Sequence, residues 1–348
     1  MRAFVTGSTG LLGNNLVRLL LEQGHQVTAL VRSRAKAARL FAGLDVTLVE
    51  GDMRDVAAFG AALAGCDVLF HTAAYFREYY QPGDHWARLE AINVHGTVAL
   101  LAEAERRGVK KVIYTSSNAV IGARPSGEPS DESDPPDARA AQNLYMKSKV
   151  LAEQAVLAFL ERSSLAVVLI LPGWMFGPSD AAPTSSGQLV LDFLNRRLPG
   201  IVEGGGDVVD ARDVAQAMIN AVERGRSGER YIVSGGEFVR LARILELLEQ
   251  ISGVPAPRRR IPFAVTLAYA WLSEIYSRIT GRPVLVTVNS VRTLRYRHVT
   301  SSAKARRELG ASFRPLAETL HDEVAWFRGN QVERLRGVPA TSQSPRGV

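Results

Sequence analysis

Short runs of apolar residues alternate along the first half of the chain with segments in which apolar residues recur every three or four positions. The runs predict buried strands, and the periodic segments predict helices with one apolar face. We place strands at residues 3–5, 26–31, 46–49, 68–71, 112–115 and 166–171, and helices at residues 11–21, 35–41, 56–63, 85–107 and 143–161. Strands this apolar, separated by helices, are typical of a parallel sheet that is covered on both faces. We therefore predict an α/β fold built on a Rossmann doubly wound parallel sheet.

The pattern becomes less regular after Pro172. Residues 204–206 are three consecutive glycines, and only short elements are indicated near Val208, Tyr231 and Val288. We therefore predict three regions: a Rossmann domain at residues 1–172, a smaller, irregular α/β substrate-binding lobe over most of residues 173–330, and a disordered tail at residues 331–348. Helical segments at residues 213–224 and 242–251 are expected to interleave with this lobe, with some segments returning to the Rossmann domain.

Composition narrows the class of protein. Of the 348 residues 46% are hydrophobic and 22% are charged, which is enough apolar material for a substantial core. Cys66 is the single cysteine, so no intramolecular disulfide forms, and no Cys/His cluster has the spacing of a metal site. The N-terminus lacks a signal-peptide pattern, and the longest apolar candidate, residues 261–272, is much shorter than the roughly 20 residues of a membrane span. We expect a cytoplasmic protein without a membrane span.

Charge alone does not identify a partner. The net charge of +7 would allow attraction to nucleic acid or to an anionic membrane. The basic residues are scattered along the chain, however, apart from the run Arg258, Arg259 and Arg260. We interpret them as a solvated basic surface and expect no nucleic-acid partner.

A glycine-rich turn joins the first predicted strand to the first predicted helix, with the sequence Thr-Gly-Ser-Thr-Gly-Leu-Leu-Gly at residues 6–13. Glycine permits positive φ and lets the backbone approach a pyrophosphate closely, while the helix N-terminus directs unpaired N–H groups at the phosphates. An ordinary strand-to-helix turn needs fewer glycines. The turn therefore predicts a dinucleotide site, with candidate cofactor-binding residues Gly7, Thr9, Gly10, Leu11, Leu12 and Gly13.

The residue at the end of the second strand indicates which dinucleotide binds. An acidic residue there would accept hydrogen bonds from the ribose and repel a 2′-phosphate, but this chain has Arg32. Arg32 favours NADP(H), with NAD(H) as the other possible cofactor; the alternative is a surface arginine in a loop. Asp52 and Met53 follow the third strand, where an acid can accept from the adenine amino group and an apolar side chain can cover the ring. Asp52 is equally compatible with a turn residue or a helix cap.

Tyr145 and Lys149 lie four residues apart in a predicted helix, which places them on one helix face. A phenol with a pKa of about 10 is a poor acid/base at neutral pH, and a cation about 5 Å away at an effective dielectric near 20 favours the phenolate by roughly 3 kcal/mol. Lys149 can supply that charge, although an exposed helix pair has the same spacing. Ser117, at the end of the fifth strand, could hold a carbonyl oxygen beside the phenol or could serve as a turn former. The candidate catalytic residues are Ser117, Tyr145 and Lys149.

On these motifs the chain resembles the short-chain dehydrogenase/reductase superfamily, in particular its extended branch, the NAD-dependent epimerase/dehydratase family. The resemblance spans residues 1–330 and rests on segments 6–13, 51–55, 71–74, 93–97, 114–117, 145–149, 171–178 and 210–215. It implies Tyr145 as the acid/base, Lys149 as its activator and a ligand of the nicotinamide ribose, and Ser117 as the residue that orients the carbonyl.

The resemblance has further implications. The cofactor cleft would be lined by Ala73, Ala74 and Pro172, and helices 93–107 and 145–161 would pair between the subunits of a homodimer. Segment 261–282 looks like the corresponding segment of dihydroflavonol-reductase-like and hydroxysteroid-type members. Those proteins use NADP(H) on a secondary alcohol/ketone pair.

Two positions depart from the pattern of nucleotide-sugar epimerases in this family. Such enzymes typically carry an Asn three residues before the Gly of a Gly-Pro pair and an Arg seven residues before a later Asp-Val pair. Trp174 and Gly206 occupy these positions here, which would leave an anionic diphosphate short of partners. An aromatic cluster suits an apolar or ring-bearing substrate, although some of its rings could only pack the loop; it comprises Tyr75, Phe76, Tyr79 and Tyr80. The candidate substrate-binding residues are Tyr75, Ser117 and Trp174.

Three functions remain open at this point. The leading hypothesis is an NADP(H)-preferring oxidoreductase with a small-molecule substrate, in which hydride passes between the cofactor and a secondary alcohol/ketone or aldehyde while Tyr145 transfers the proton. The alternative is a nucleoside-diphosphate-sugar epimerase or dehydratase, in which tightly bound NAD returns the hydride within one turnover. A second alternative is a non-catalytic dinucleotide-binding sensor, which would not need Tyr145 or Lys149.

Overall fold

A sheet of seven parallel strands forms the centre of the fold. A computed structural model describes residues 1–76, 85–138, 143–280, 287–288, 291–292 and 296–336. The central strands are β1 (Arg2–Thr6), β2 (Gln26–Val31), β3 (Val46–Glu50), β4 (Val68–His71), β5 (Lys111–Thr115), β6 (Ala166–Pro172) and β10 (Arg230–Val233). Their order across the sheet is β10-β6-β5-β4-β1-β2-β3, with every neighbouring pair parallel. Because the order reverses between β1 and β4, a crevice opens at the carboxyl edge of the sheet.

Helices cover both faces of this sheet. The helices of the described residues are α1 (Leu11–Glu22), α2 (Arg34–Leu40), α3 (Val56–Phe59), α4 (Trp86–Leu89), α5 (Gly96–Arg106), α6 (Leu144–Leu160), α7 (Ser185–Leu194), α8 (Ala211–Arg224), α9 (Leu241–Ser252), α10 (Phe263–Thr280) and α11 (Leu316–Arg336). Helices α1, α2 and α8 pack on one face of the central sheet, and α3, α5 and α6 pack on the other. Two tighter, 3₁₀-helical turns lie at Gly60–Leu63 and Asn118–Val120. Two wider, π-helical turns lie at Glu90–His95 and Ala305–Leu309.

Successive residues of each central strand enter different apolar cores. Val5 packs in the core formed with α1 and α8, whereas Phe4 packs in the core formed with α5 and α6. Alternation of this kind follows from the pleat, since neighbouring side chains of a strand point to opposite faces. Strands that are buried on both faces need apolar residues throughout, which explains their continuous apolar runs. The predicted doubly wound α/β fold is confirmed.

A third apolar core belongs to the smaller lobe. Its sheet contains β7 (Trp174–Phe176), β9 (Gly205–Asp210) and β11 (Phe238–Arg240), in the order β11-β9-β7, and β8 (Ile201–Val202) pairs separately with β12 (Arg260–Ile261). Phe176, Phe193 and Leu248 are buried in this core. Helix α9 packs there, whereas α8 packs against α1 on the central sheet. The helix at 211–224 thus returns to the central sheet from the second half of the chain.

Some predicted elements differ in detail. The segment predicted as one helix at 85–107 consists of α4, the π-helical turn Glu90–His95 and α5. Helix α11 reaches Arg336 and so overlaps the first residues of the predicted tail, whose remainder, 337–348, lies outside the described residues. The element indicated near Val288 falls where only isolated residues are described. The domain boundaries remain predictions.

Candidate active site

The glycine turn packs tightly against the end of β4. Gly7 has φ of +66°, and a Cβ at this position would lie 2.7 Å from the backbone nitrogen of Ala73. A Cβ at Gly13 would lie 2.2 Å from the Gly7 carbonyl oxygen, so α1 can approach the turn only without a side chain there. At Gly10 the nearest atom to such a Cβ is 3.4 Å away. Gly7 and Gly13 are therefore required by the fold itself, whereas Gly10 is not.

Gly10 faces the crevice at the start of α1. It is exposed, and it caps the helix with extended backbone (φ −83°, ψ 172°) and no side chain to occupy the N–H groups of the first turn. Those N–H groups belong to Leu11, Leu12 and Gly13, none of which is acidic, and both leucine side chains are buried. Thr9 is half-buried beside them. The turn therefore presents backbone donors to the crevice and fits an anionic pyrophosphate.

A buried histidine joins the glycine turn to the segment after β4. His71 Nδ1 lies 2.8 Å from Thr6 Oγ1, and its Nε2 lies 3.0 Å from Thr97 Oγ1. Burial, with a smaller contribution from the Lys149 charge, lowers the pKa of His71 to about 3. The Thr6 hydroxyl accepts a hydrogen bond from the Ala73 N–H at 3.2 Å. A neutral imidazole thus fixes Ala73 and the following Ala74, both half-buried, beside Gly7.

The region expected to hold the adenosine is rich in arginine. Arg32 is exposed at the end of β2, and Met53 is buried after β3. The Arg54 guanidinium donates to both carboxylate oxygens of Asp52, at 2.9 and 3.0 Å. This contact lowers the pKa of Asp52, and the Arg32 charge adds a smaller effect in the same direction. Arg54 is not among the predicted site residues, although its position two residues after Asp52 is visible in the sequence.

Lys149 lies deep in the site, where α6 meets the end of β5. It is 3% exposed, and its Nζ donates a 2.8 Å hydrogen bond to the Thr115 carbonyl. Its ammonium also lies 5.3 Å from the centre of the Tyr114 ring. Burial lowers the pKa of Lys149 to about 8, while the charge of Glu153, one helical turn further along α6, opposes that shift. Lys149 is therefore anchored to Thr115, which lies two residues before Ser117 in the sequence.

Ser117 ends the extended segment after β5. Its Oγ accepts a 3.2 Å hydrogen bond from the Ala119 N–H and so caps the 3₁₀ turn Asn118–Val120. The turn-former role considered for this serine is therefore real. Accepting this bond leaves the hydroxyl proton of Ser117 able to point to a bound carbonyl oxygen.

Tyr145 lies in the first turn of α6. The Asn143 side chain caps this helix by accepting from the backbone N–H groups of Tyr145 and Met146, at 3.0 and 3.1 Å. The Tyr145 ring is half-buried, and its centroid lies 4.7 Å from that of Phe76. Phe76, from the aromatic cluster that follows β4, therefore lies beside the candidate acid/base.

A buried amide connects α6 to that aromatic segment. Asn93, in the π-helical turn, accepts from the Tyr75 N–H at 2.7 Å and donates to Ser148 Oγ at 3.0 Å. Ser148 Oγ in turn donates to the Tyr145 carbonyl at 2.7 Å. Asn93 begins the motif segment 93–97 but is not among the predicted site residues. The position of Asn93 in the sequence does not predict this contact, because the π-helical turn determines the direction of the Asn93 side chain.

Two of the predicted substrate residues have quite different surroundings. Tyr75 is buried, its hydroxyl lies 2.7 Å from His85 Nδ1, and the centroids of the two rings lie 5.8 Å apart, so this side chain packs against His85. Trp174 is half-buried on β7, with its ring centroid 4.8 Å from that of Phe176. A Cβ at Gly206 would lie 3.0 Å from Trp174 Cε3. The residues that depart from the nucleotide-sugar pattern therefore contact each other.

The remaining predicted residues fall in two places. Pro172 is buried at the end of β6, where it pairs with Val233 of β10, and Gly173 alone separates it from β7. Tyr79 and Tyr80 lie outside the described residues.

The chain is similar in sequence to one protein family and to several individually named proteins. Residues 3–234 match the model of the NAD dependent epimerase/dehydratase family. A putative dihydroflavonol 4-reductase from Synechocystis sp. is 36% identical over 94% of each chain. Sterol demethylase protein B from Methylococcus capsulatus is also 36% identical, over 94% of this chain and 98% of that protein. The solved structure of PA4631, a nucleoside-diphosphate-sugar epimerase from Pseudomonas aeruginosa, is 26% identical with a TM-score of 0.76, covering 95% of this chain and 98% of that one.

Proposed function

The chain belongs to the NAD-dependent epimerase/dehydratase family, and we propose that within it this enzyme is an NADP(H)-preferring oxidoreductase of a secondary alcohol/ketone or aldehyde substrate, with Tyr145 as acid/base. The observation that carries the proposal is the buried Lys149 ammonium, which donates to the Thr115 carbonyl two residues before Ser117 and lies one helical turn after Tyr145 on α6. An exposed helix pair with the same spacing would be solvated, whereas a buried cation acts on its neighbours through a low dielectric.

The glycine turn and the arginines provide the cofactor site of this proposal. The exposed backbone at Gly10 and the free first-turn donors of α1 would hold the pyrophosphate. Arg32 would pair with a 2′-phosphate, and Lys149 would donate to the nicotinamide ribose. Asp52 would accept from the adenine amino group, while Met53 and the segment Ala73-Ala74 would line the cleft.

Three side chains then divide the chemistry. NADPH supplies a hydride to the carbonyl carbon when it is bound. As the C=O π pair moves onto oxygen, that oxygen takes the proton of the Tyr145 hydroxyl, leaving an alcohol and a phenolate. Lys149 stabilises the phenolate by its charge, and Ser117 orients the carbonyl by donating a hydrogen bond. The reverse direction oxidises the alcohol, with Tyr145 as the base.

The Trp174–Gly206 contact supports a substrate other than a sugar nucleotide. An arginine at position 206 could bind a diphosphate, but any side chain there meets the Trp174 ring at 3.0 Å. The ring instead offers an apolar surface beside the strand that follows Pro172. Apolar surface of this kind suits a ring-bearing or aliphatic carbonyl compound.

Three measurements test this function. We expect NADPH to bind more tightly than NADH, and Arg32→Ala to abolish the difference, whereas Arg39→Ala, an exposed arginine on α2, should retain it. We expect Tyr145→Phe to bind NADPH normally and to lose turnover, with Tyr269→Phe as the matched control on an exposed helix. Turnover that survives Tyr145→Phe would refute the catalytic assignment, and tighter NADH binding would refute the role of Arg32.

Similarity to PA4631 favours a second candidate, a nucleoside-diphosphate-sugar epimerase with tightly bound NAD. The same tyrosine and lysine would serve, but the hydride would return to the substrate. A screen of aromatic and aliphatic ketones and aldehydes against UDP and GDP sugars separates the two. Net change in nicotinamide absorbance with a carbonyl compound supports the oxidoreductase, whereas sugar isomerisation without such a change supports the epimerase.

We also propose that the enzyme is a homodimer formed through α5 and α6. Leu157, on α6, is an apolar side chain that is 40% exposed in the single chain. A subunit interface would bury it. Light scattering of the parent and of Leu157→Arg tests this arrangement: the parent should be dimeric and the variant monomeric, and a monomeric parent would refute it.

A further inference from the structure

Helix α10 has its polarity inverted relative to an ordinary surface helix. The residues of α10 that are buried against the protein are small: Thr266, Ala270 and Ser277. Six of its large apolar side chains are exposed instead, whereas Phe263, Leu267 and Ile275 are half-buried. A surface helix of a globular protein normally turns its large apolar residues to the core, so this helix is built for an apolar environment on its outer side.

Exposed apolar side chains are concentrated on α10. Of the seven large apolar residues that are exposed among the described residues, six belong to this helix: Val265, Tyr269, Trp271, Leu272, Tyr276 and Ile279. Ile279 is 80% exposed and Trp271 is 59% exposed. Five of the six recur at spacings of four, three, four and three residues, which gathers them in one stripe along the helix. Scattered exposed apolar residues are ordinary, but a contiguous stripe marks an interaction surface.

Arginine side chains flank this stripe at both ends. The Arg258 guanidinium is paired with Glu249 Oε1 at 2.9 Å, so Arg259 and Arg260 supply the net positive charge at the first end. Arg258, Arg259 and Arg260 are all exposed and lie immediately before the helix, with β12 pairing Arg260 to Ile201. Arg278 is exposed in the last turn. Glu274 is the single acidic residue of the helix, and its carboxylate accepts a hydrogen bond from the Val288 N–H at 2.8 Å. An aromatic and aliphatic stripe therefore has arginine at both ends.

From this arrangement we propose that α10 is a docking surface for an anionic lipid membrane, on which the helix lies parallel to the bilayer plane. Tyrosine, tryptophan and arginine are the residues that the headgroup region favours, with aliphatic side chains entering the acyl boundary. An 18-residue helix is about 27 Å long, enough to lie on the surface. Within the described part of the chain, no helix is long and apolar enough to cross a bilayer.

Charge disfavours a second copy of the chain as the occupant. Pairing two α10 helices would bring arginines of both copies together, either end to end in an antiparallel pair or side by side in a parallel one. Like charges at an interface are repulsive, whereas anionic headgroups attract each basic residue. The homodimer proposed above uses α5 and α6, which leaves α10 available.

Sedimentation with lipid vesicles tests the proposal. We expect the full chain to sediment with vesicles of phosphatidylcholine mixed with phosphatidylglycerol, less with phosphatidylcholine alone, and less as salt screens the arginines. The variant Leu272→Glu/Ile279→Glu should bind the mixed vesicles about a hundredfold more weakly, at about tenfold for each apolar residue lost. The variant Ala42→Glu/Ala61→Glu adds the same charge at exposed positions elsewhere and should bind nearly as the parent does.

Two controls make the outcomes distinct. NADPH binding and thermal melting should be equal in parent and variants, which shows that a lost vesicle signal does not arise from misfolding or from failure of the cofactor site. Light scattering gives the oligomeric state of each. The proposal is overturned if the parent ignores the mixed vesicles, if Leu272→Glu/Ile279→Glu binds them as the parent does, or if that variant turns a dimer into a monomer, since the stripe would then face a second copy.

Discussion

Replacing Gly10 by alanine should separate dinucleotide binding from folding. A Cβ at this position meets no atom closer than the Gly7 carbonyl oxygen at 3.4 Å, and the backbone angles of Gly10 are accessible to alanine. Alanine is a poorer N-cap than glycine by several tenths of a kcal/mol, and it reduces the entropy of the unfolded chain by a comparable amount. The free energy of unfolding should therefore change by no more than about 1 kcal/mol.

The same methyl group should weaken cofactor binding strongly. It would project into the crevice where the pyrophosphate approaches the backbone, and each charge-assisted hydrogen bond lost there is worth about 1.5–3 kcal/mol. Losing one such bond weakens binding by a factor of roughly 10 to 150. Fluorescence titration with NADPH measures the effect, and thermal denaturation followed by circular dichroism measures the stability.

Gly13→Ala is the contrasting variant. Its Cβ would lie 2.2 Å from the Gly7 carbonyl oxygen, which is backbone and cannot move aside cheaply. We expect a loss of about 3 kcal/mol or more in unfolding free energy, because α1 must shift away from the turn. A folded Gly10→Ala protein that binds NADPH as tightly as the parent would refute the placement of the pyrophosphate at this turn.

The remaining predictions concern buried ionisable groups. In the parent, kcat/KM for carbonyl reduction should fall above about pH 8, where Lys149 loses its proton. The Glu153 charge raises the pKa of Lys149, so Glu153→Gln should move this alkaline limb of the pH–rate profile to lower pH. A limb that does not move would exclude Lys149 as the titrating group. The pKa of His71 is about 3 in the folded state. Between about pH 6.5 and pH 3, therefore, the His71 imidazole is protonated in the unfolded chain but not in the folded one. The free energy of unfolding should fall by about 1.4 kcal/mol for each pH unit of acidification in this range. Urea unfolding of His71→Phe should show a flatter pH dependence than the parent over that range. Burial raises the pKa of Glu323 well above its usual range, so the folded state keeps this proton and its ionisation costs stability as pH rises. Glu323→Gln should thus equal or exceed the parent in urea unfolding at alkaline pH, whereas Glu323→Ala should be less stable, because the Gly177 N–H loses its acceptor.

The central sheet could be predicted closely because its strands obey a strong local rule. A parallel strand buried on both faces must be apolar at most positions, and the predicted strand 68–71 matches β4, Val68–His71, at both ends. Strand β7 has only three residues and β8 only two, so no period can emerge from either. Their existence depends on pairing partners far along the chain, and these short strands were not predicted.

The candidate site likewise contains residues with a local sequence signal and residues whose contacts depend on distant parts of the chain. The places of Gly7, Ser117 and Tyr145 in the fold could be predicted because each lies directly at the end of a strand or the start of a helix, while their roles in the site remain predictions. The hydrogen bonds of Asn93 and His85 join each of them to Tyr75, 18 and 10 residues earlier in the sequence, and the Asn93 contact starts from a π-helical turn. Residue type gave no signal for these contacts, since a buried amide or imidazole has the same local pattern as a solvated one.

Trp174 and Gly206 illustrate what the structure adds to a motif. As single positions they are two independent departures from a nucleotide-sugar pattern, 32 residues apart in the sequence. In the fold, β7 pairs with β9, and the indole occupies the space that a side chain at 206 would need. An arginine at position 206 alone would force the Trp174 ring to move. A substitution at position 206 therefore needs a matching substitution at position 174. The two positions must therefore be considered as one packing unit, and a diphosphate site could be rebuilt here only by replacing both residues.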